Sequence, residues 1–98
     1  MADYRLTLRA EADLIAIYHS SERTFGAYQA DAYAEGLNRT FGLIADFPGI
    51  GKGVDEIKSG YRRFRFQSHY IFYTVELGQV LIRALVHTRR NVRDELFE

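Results

Sequence analysis

Gly60-Tyr61-Arg62-Arg63-Phe64-Arg65-Phe66-Gln67-Ser68-His69-Tyr70-Ile71-Phe72-Tyr73 is the stretch whose reading decides the fold. Phe64 and Phe66 alternate with Arg63 and Arg65, and such a period of two marks a strand whose faces meet different environments. Gln67-Ser68-His69 interrupts the alternation with polar residues, and Tyr70 to Val75 follows as a strand apolar on both faces, as suits a central strand. The arginines leave a guanidinium-bearing face that suits planar anionic partners.

Working outward, strands are expected over 61–67, 69–76 and 79–89, with Gly78-Gln79 turning the last two into a hairpin. In the last strand Val80, Ile82, Ala84 and Val86 fall on one face, and Leu81, Arg83, Leu85, His87 and Arg89 on the other. Upstream, residues 48–59 hold Gly49, Gly51, Gly53 and the one proline, and read as a loop with room for a short edge strand at Val54–Ile57. Gly49-Ile50-Gly51-Lys52-Gly53 superficially looks like a phosphate loop. It follows a helix instead of a strand and lacks the Gly-Lys-Ser/Thr ending, so it is read as a plain loop.

The first half is helical. A short strand covers 3–8, and Thr7 within it can also cap a helix over 9–24 striped by Ala10, Leu14, Ile17, Tyr18 and Ser21. Phe25-Gly26 ends it, and a second helix over 27–46 carries Ala30, Tyr33, Leu37, Phe41 and Ile44 until Phe47-Pro48-Gly49 stops it. So short a connection makes the helices antiparallel. The expected fold is a two-layer α+β domain over residues 1–98: an N-terminal strand, then a helix hairpin on one face of an antiparallel sheet. Tyr18, Tyr33, Phe41, Phe64 and Phe66 are assigned to the core. The tail from Asn91 is polar except for Val92, Leu96 and Phe97.

Composition narrows the function classes. The 98 residues are 47% hydrophobic and 27% charged, with seven Phe, seven Tyr and no Trp, so the first two must supply the large core side chains. With no Cys, disulfides and thiolate metal sites are excluded, and the three histidines are too scattered for a metal site. No apolar signal core or membrane span is visible, which predicts a soluble cytoplasmic protein. Net charge is zero, but residues 1–51 hold four basic groups against seven acidic and residues 52–98 nine against six. That argues against a general nucleic-acid coat and leaves room for a local basic patch.

In order and spacing, several motifs together resemble the ParE branch of the RelE/ParE toxin superfamily. They are Tyr4-Arg5-Leu6-Thr7, Ala12-Asp13-Leu14, Ile17, Phe25-Gly26, Gln29-Ala30, Tyr33, Phe47-Pro48-Gly49-Ile50-Gly51, Gly60-Tyr61-Arg62-Arg63, Ser68-His69, Phe72-Tyr73 and Leu85-Val86-His87. Phe25 stands where the family usually has Trp, and Arg89-Arg90-Asn91-Val92 replaces the usual ending with Met and Asp. The resemblance implies the toxic half of a bacterial type II toxin–antitoxin pair, without a cofactor, whose first strand lies beside its last. It implies DNA gyrase as target, and tight binding by a ParD-like ribbon-helix-helix antitoxin in a hetero-oligomer. Neither a membrane nor sequence-specific DNA binding is expected.

On this reading Arg63, Arg65, Arg83, Arg89 and Arg90 supply charged contacts, and Tyr73, Leu81, Leu85 and His87 complete the partner face, Arg and Tyr being frequent interface anchors. The alternative is a RelE-type ribonuclease acting on messenger RNA at the ribosome. Such cleavage needs a base, an acid and cations around the phosphate, for which Glu56, Arg63 or Arg65, and His87 are candidates. His87 reads equally well as a structural histidine, His69 as a residue shaping its turn, and His19 as surface.

Overall fold

The computed structural model describes residues 3–93, so Leu96 and Phe97 of the tail lie outside the described residues. Its elements are β1 (Tyr4–Leu6), α1 (Leu8–Phe25), α2 (Ala27–Asp46), β2 (Lys52–Gly53), β3 (Arg62–Phe66), β4 (His69–Glu76) and β5 (Gln79–His87). Thr7 starts α1 as its sequence suggests, its Oγ1 accepting the Ala10 N–H at 3.1 Å. Gly26 both ends α1 and begins α2, donating its N–H to Glu22 and accepting from Ala30. It does so at φ 91°, a region where a side chain is costly and glycine is not.

The sheet order is β1-β5-β4-β3-β2. The meander β3-β4-β5 is antiparallel, and the first strand lies beside the last, with Tyr4 opposite Val80 and Leu6 opposite Ile82. That edge pair is parallel, because the helix hairpin and meander return the chain in its starting direction; the sheet is therefore mixed. Two element expectations shift. The edge strand pairs through Lys52 and Gly53 with Arg63 and Arg62, not through Val54–Ile57. Val54 instead opens a turn in which Ile57 and Lys58 both donate to its carbonyl. β5 stops at His87, so Arg89 belongs to the turn beyond it.

The helices bury Ala10, Leu37, Phe41 and Ile44 against Ile71, Tyr73, Val80, Ile82 and Leu85 of the sheet. Leu14, Ile17, Tyr33, Phe64 and Phe66 complete this core from its margin. Tyr18 departs from its core assignment: its hydroxyl reaches Asp31 at 2.7 Å on the outside of the hairpin. The opposite face of the sheet is not bare. Phe72, Ala84 and Val86 form a second cluster there with Val54 and Tyr61, and Ile57, Tyr70 and Val92 pack onto it.

One irregularity decides which side chains share a face. Phe72 pairs with Ala84 but Tyr73 with Ile82, which leaves Arg83 as an extra residue in β5. A bulge of this kind reverses the side-chain parity of everything beyond it. Val80, Ile82 and Leu85 consequently all reach the helix-side core, while Ala84 and Val86 turn to the other side. The uninterrupted alternation expected from sequence is corrected here. His87 joins the helix side, against His69 at 5.2 Å between ring centroids.

The bulge is held by the start of α1. Thr7 donates its backbone N–H to the Ile82 carbonyl at 3.0 Å and its hydroxyl to the Arg83 carbonyl at 3.1 Å. Asp13 Oδ2 accepts the Leu85 N–H at 3.0 Å, and Arg9 Nε holds both carboxylate oxygens at 3.1 and 3.0 Å. Backbone groups of β5 at and beyond its last pair with β1, Leu6 with Ile82, are thereby satisfied.

Candidate functional site

Arg63, Arg65 and Arg83 do share the face turned away from the helices, together with half-buried Leu81. Each is differently committed. The Arg63 guanidinium lies 4.3 Å from the centroid of the Tyr70 ring, a cation–π arrangement that keeps its edge available. Arg65 Nε donates to the Gln67 carbonyl at 2.7 Å, across a turn where Gln67 has φ 48°. Arg83 is paired: its guanidinium bonds Glu76 Oε2 and its Nε bonds Thr74 Oγ1 at 3.1 Å. The hydrogen bond from Arg83, followed by one from Thr74, holds the Glu76 carboxyl below the usual carboxylate range.

These commitments predict an order of effects. Arg65→Ala changes stability by no more than about 0.5 kcal/mol, as for a surface site tied only to its own turn. Arg83→Ala lowers the melting temperature further, because it strips buried Thr74 of one of its partners. Thermal melts followed by circular dichroism distinguish the two.

Three residues expected on the partner face are placed elsewhere. Tyr73 is fully buried, its hydroxyl donating to the Pro48 carbonyl at 2.7 Å and accepting the Gly51 N–H at 2.8 Å. Leu85 is only 5% exposed and belongs to the helix-side core. His87 is exposed, but the bulge turns it to the helix side. Arg89 and Arg90 are exposed in the turn after β5, where Arg89 N–H donates to His87 Nδ1 at 3.1 Å and Arg90 N–H to the His87 carbonyl.

His87 therefore faces a cleft of about 540 Å³ between the tip of the helix hairpin and the β3–β4 turn. Thr24, Phe25 and Gln29 line it from the helices, and Gln67, Ser68 and His69 from the turn, with Tyr33 at its floor. The Tyr33 hydroxyl accepts the Ser68 N–H at 3.2 Å and lies 2.8 Å from His69 Nδ1. Sequence reading gave His69 only a turn-shaping role. Its pairing opposite His87 in the β4–β5 register was the available signal, hidden by the unseen bulge.

Burial, then the neighbouring His87, pushes the His69 pKa down to about 4, while Asp13 pulls weakly the other way. The ordinary value is 6.5, so the unfolded chain takes the proton first as pH falls. His69 thus contributes stability that is whole above pH 6.5 and declines toward pH 4, where the native imidazole also protonates. The melting temperature is expected to fall less steeply across this window in His69→Gln than in the wild type.

The residues of the ribonuclease alternative are not brought together. Glu56 lies exposed in the turn tied to the sheet by the Val54 N–H to Tyr61 carbonyl bond, beside the Arg62 end of β3. His87 pairs with His69 beside the Phe66 end, four residues away or ~13 Å of strand. Arg65 points to the opposite face from His87. Among the described residues no group of three or more His, Cys, Asp or Glu could hold a metal ion, and no helix is long and apolar enough to cross a membrane.

A family model described as the ParE toxin of type II toxin–antitoxin systems, parDE, matches residues 4–92. The chain belongs to the ParE toxin family. It is 42% identical to Toxin ParE1 of Caulobacter vibrioides over 96 residues, covering 98% of this chain and 99% of that protein. It is also 32% identical to Toxin ParE of Escherichia coli over 97 residues, 98% and 94% of the two chains. Among solved structures, a chain of the chromosomal ParDE TA system from P. aeruginosa superposes with a TM-score of 0.78 at 19% identity, covering 89% of this chain and 96% of that one. A chain of the RelBE2 toxin–antitoxin complex of Mycobacterium tuberculosis superposes at 0.65 and 18% identity, with 91% and 93% covered. At those identities the structures establish a shared fold. The ParE assignment rests on the sequence matches.

Proposed function

We propose that this ParE toxin, a single domain acting in the cytoplasm, poisons DNA gyrase by binding it, performs no catalysis of its own, and is neutralised by a ParD-like antitoxin. The observation that carries this reading is the match to ParE toxins across residues 4–92, combined with the dispersal of Glu56, Arg65 and His87 over two faces and two ends of the sheet. A proton-transfer mechanism needs its base and acid within hydrogen-bond reach of one substrate. A poison that acts by binding needs a surface instead. Arg63, Arg65 and Leu81, with Arg89 and Arg90 beyond them, offer such a surface, and Arg83 contributes once its pairing with Glu76 is exchanged for a partner carboxylate.

Expression without an antitoxin tests the target. The expected outcome is DNA damage and filamentous growth with messenger RNA intact. Messenger cleavage within codons on the ribosome, abolished by His87→Ala or Glu56→Ala, would replace this reading with the ribonuclease one. Co-purification with the product of the adjacent reading frame tests the antitoxin; a stable complex burying at least ~1,600 Å² is expected. A toxin that stays monomeric beside that product at micromolar concentration would refute the pairing.

A further inference from the structure

We infer that the cleft between the hairpin tip and the β3–β4 turn is a binding site for a phosphorylated nucleotide unit, with the phosphate on the His69 and His87 N–H donors and the base against Phe25. The hydrogen bonds around the two imidazoles point to this chemistry. His87 Nδ1 is occupied as an acceptor by the Arg89 N–H. The Tyr33 hydroxyl accepts from Ser68 and has two acceptors in reach of its own proton, the Phe66 carbonyl at 3.4 Å and His69 Nδ1 at 2.8 Å; the much shorter contact assigns the proton to His69 Nδ1. Each neutral ring then carries its hydrogen on Nε2. With both Nδ1 lone pairs engaged and both Nε2 atoms protonated, the pair is arranged to donate to an anion and not to ligate a metal.

The surroundings favour the same charge. Among the described residues, no carboxylate lines the cleft. Asp13, whose charge reaches His69, is committed to the Leu85 N–H and to Arg9. Positive charge is close by: Arg65 is fixed to the carbonyl of the cleft residue Gln67, and its field is felt at the Tyr33 hydroxyl. Phe25 adds an aromatic surface 70% exposed at the rim, a stacking platform tolerant of any base. The volume of about 540 Å³ lies within the range of small-molecule sites. The phosphate and base could belong to a free nucleotide or to the end of a DNA strand. The site does not depend on which target the toxin poisons.

The test is a nuclear magnetic resonance titration of the full chain with thymidine 5′-monophosphate. Saturable shifts are expected at the Ser68 amide and at the His69 and His87 imidazoles. His87→Ala and Phe25→Ala should each weaken binding about ten-fold, since one removes a donor to a charged group and the other the stacking surface. Leu77→Asn, in the remote β4–β5 turn, should leave it unchanged. A 5′-phosphorylated single-stranded oligonucleotide that competes assigns the site to a DNA end, and failure to compete assigns it to the free nucleotide. Absence of saturable shifts, inorganic phosphate binding as tightly as the nucleotide, or affinity unchanged in both cleft variants would overturn the inference.

Discussion

Tyr73→Ala is expected to destabilise the chain by about 3–5 kcal/mol, the usual cost of deleting a buried aromatic ring. Against a typical total of ~5–15 kcal/mol this threatens the native state outright. The ring is fully buried between α2 and the sheet, and its hydroxyl fastens the glycine loop by bonds to Pro48 and Gly51. Gly51 is matched to that contact: a Cβ there would lie 2.5 Å from the Tyr73 hydroxyl and 2.9 Å from the Arg63 carbonyl. Tyr73→Phe separates the two contributions. It retains the ring and leaves the Gly51 N–H and Pro48 carbonyl without the hydroxyl, for a cost of about 1–3 kcal/mol. Urea unfolding of the three proteins measures the series. An interface residue would behave oppositely, keeping its unfolding midpoint and losing partner affinity; such a result for Tyr73→Ala would refute the core placement.

Local signals fixed most of the architecture. Thr7 as a cap, Gly26 as a helix junction and the alternation from Arg63 to Phe66 act within a few residues, and all appear in the structure. Tyr73 and His87 were misplaced for different reasons. The middle strand is apolar on both faces, so nothing in its pattern says which aromatic faces a deep core and which a shallow one. Only the register, with Phe72 opposite Ala84 and Tyr73 opposite Ile82, does so. His87 was misplaced because an extra residue in a strand leaves no mark when the residues on both sides are apolar, as Ile82 and Ala84 are. The pairing of Arg83 with Glu76 across the hairpin likewise depends on that bulge, and the cleft depends on bringing Tyr33, His69 and His87 together from three elements.

The bulge predicts the second large effect. Asp13 is part of a sequence motif, but its role is visible only in space: it accepts the Leu85 N–H just past the bulge, beyond the last residue that β1 pairs. Asp13→Ala strands that donor beside the buried Leu85 side chain and frees Arg9 from its carboxylate, so a loss of about 1–3 kcal/mol is expected. For a domain of this size each kcal/mol lowers the melting temperature by about 4–8 °C. Asp13→Asn should recover much of the loss, because the amide oxygen can still accept from Leu85 although the charge pairing with Arg9 is lost. Thr7→Val removes the hydroxyl that serves both the Ala10 N–H and the Arg83 carbonyl. As Thr7 and Asp13 hold the same two-residue distortion, their combined substitution should cost measurably less or more than the sum, by about 0.5 kcal/mol or above. Amide hydrogen exchange gives the local reading: Leu85 should exchange faster in Asp13→Ala by a factor beyond that of the central β4 amides. Equal acceleration throughout the sheet would mean that Asp13 stabilises the fold globally and does not clamp the bulge.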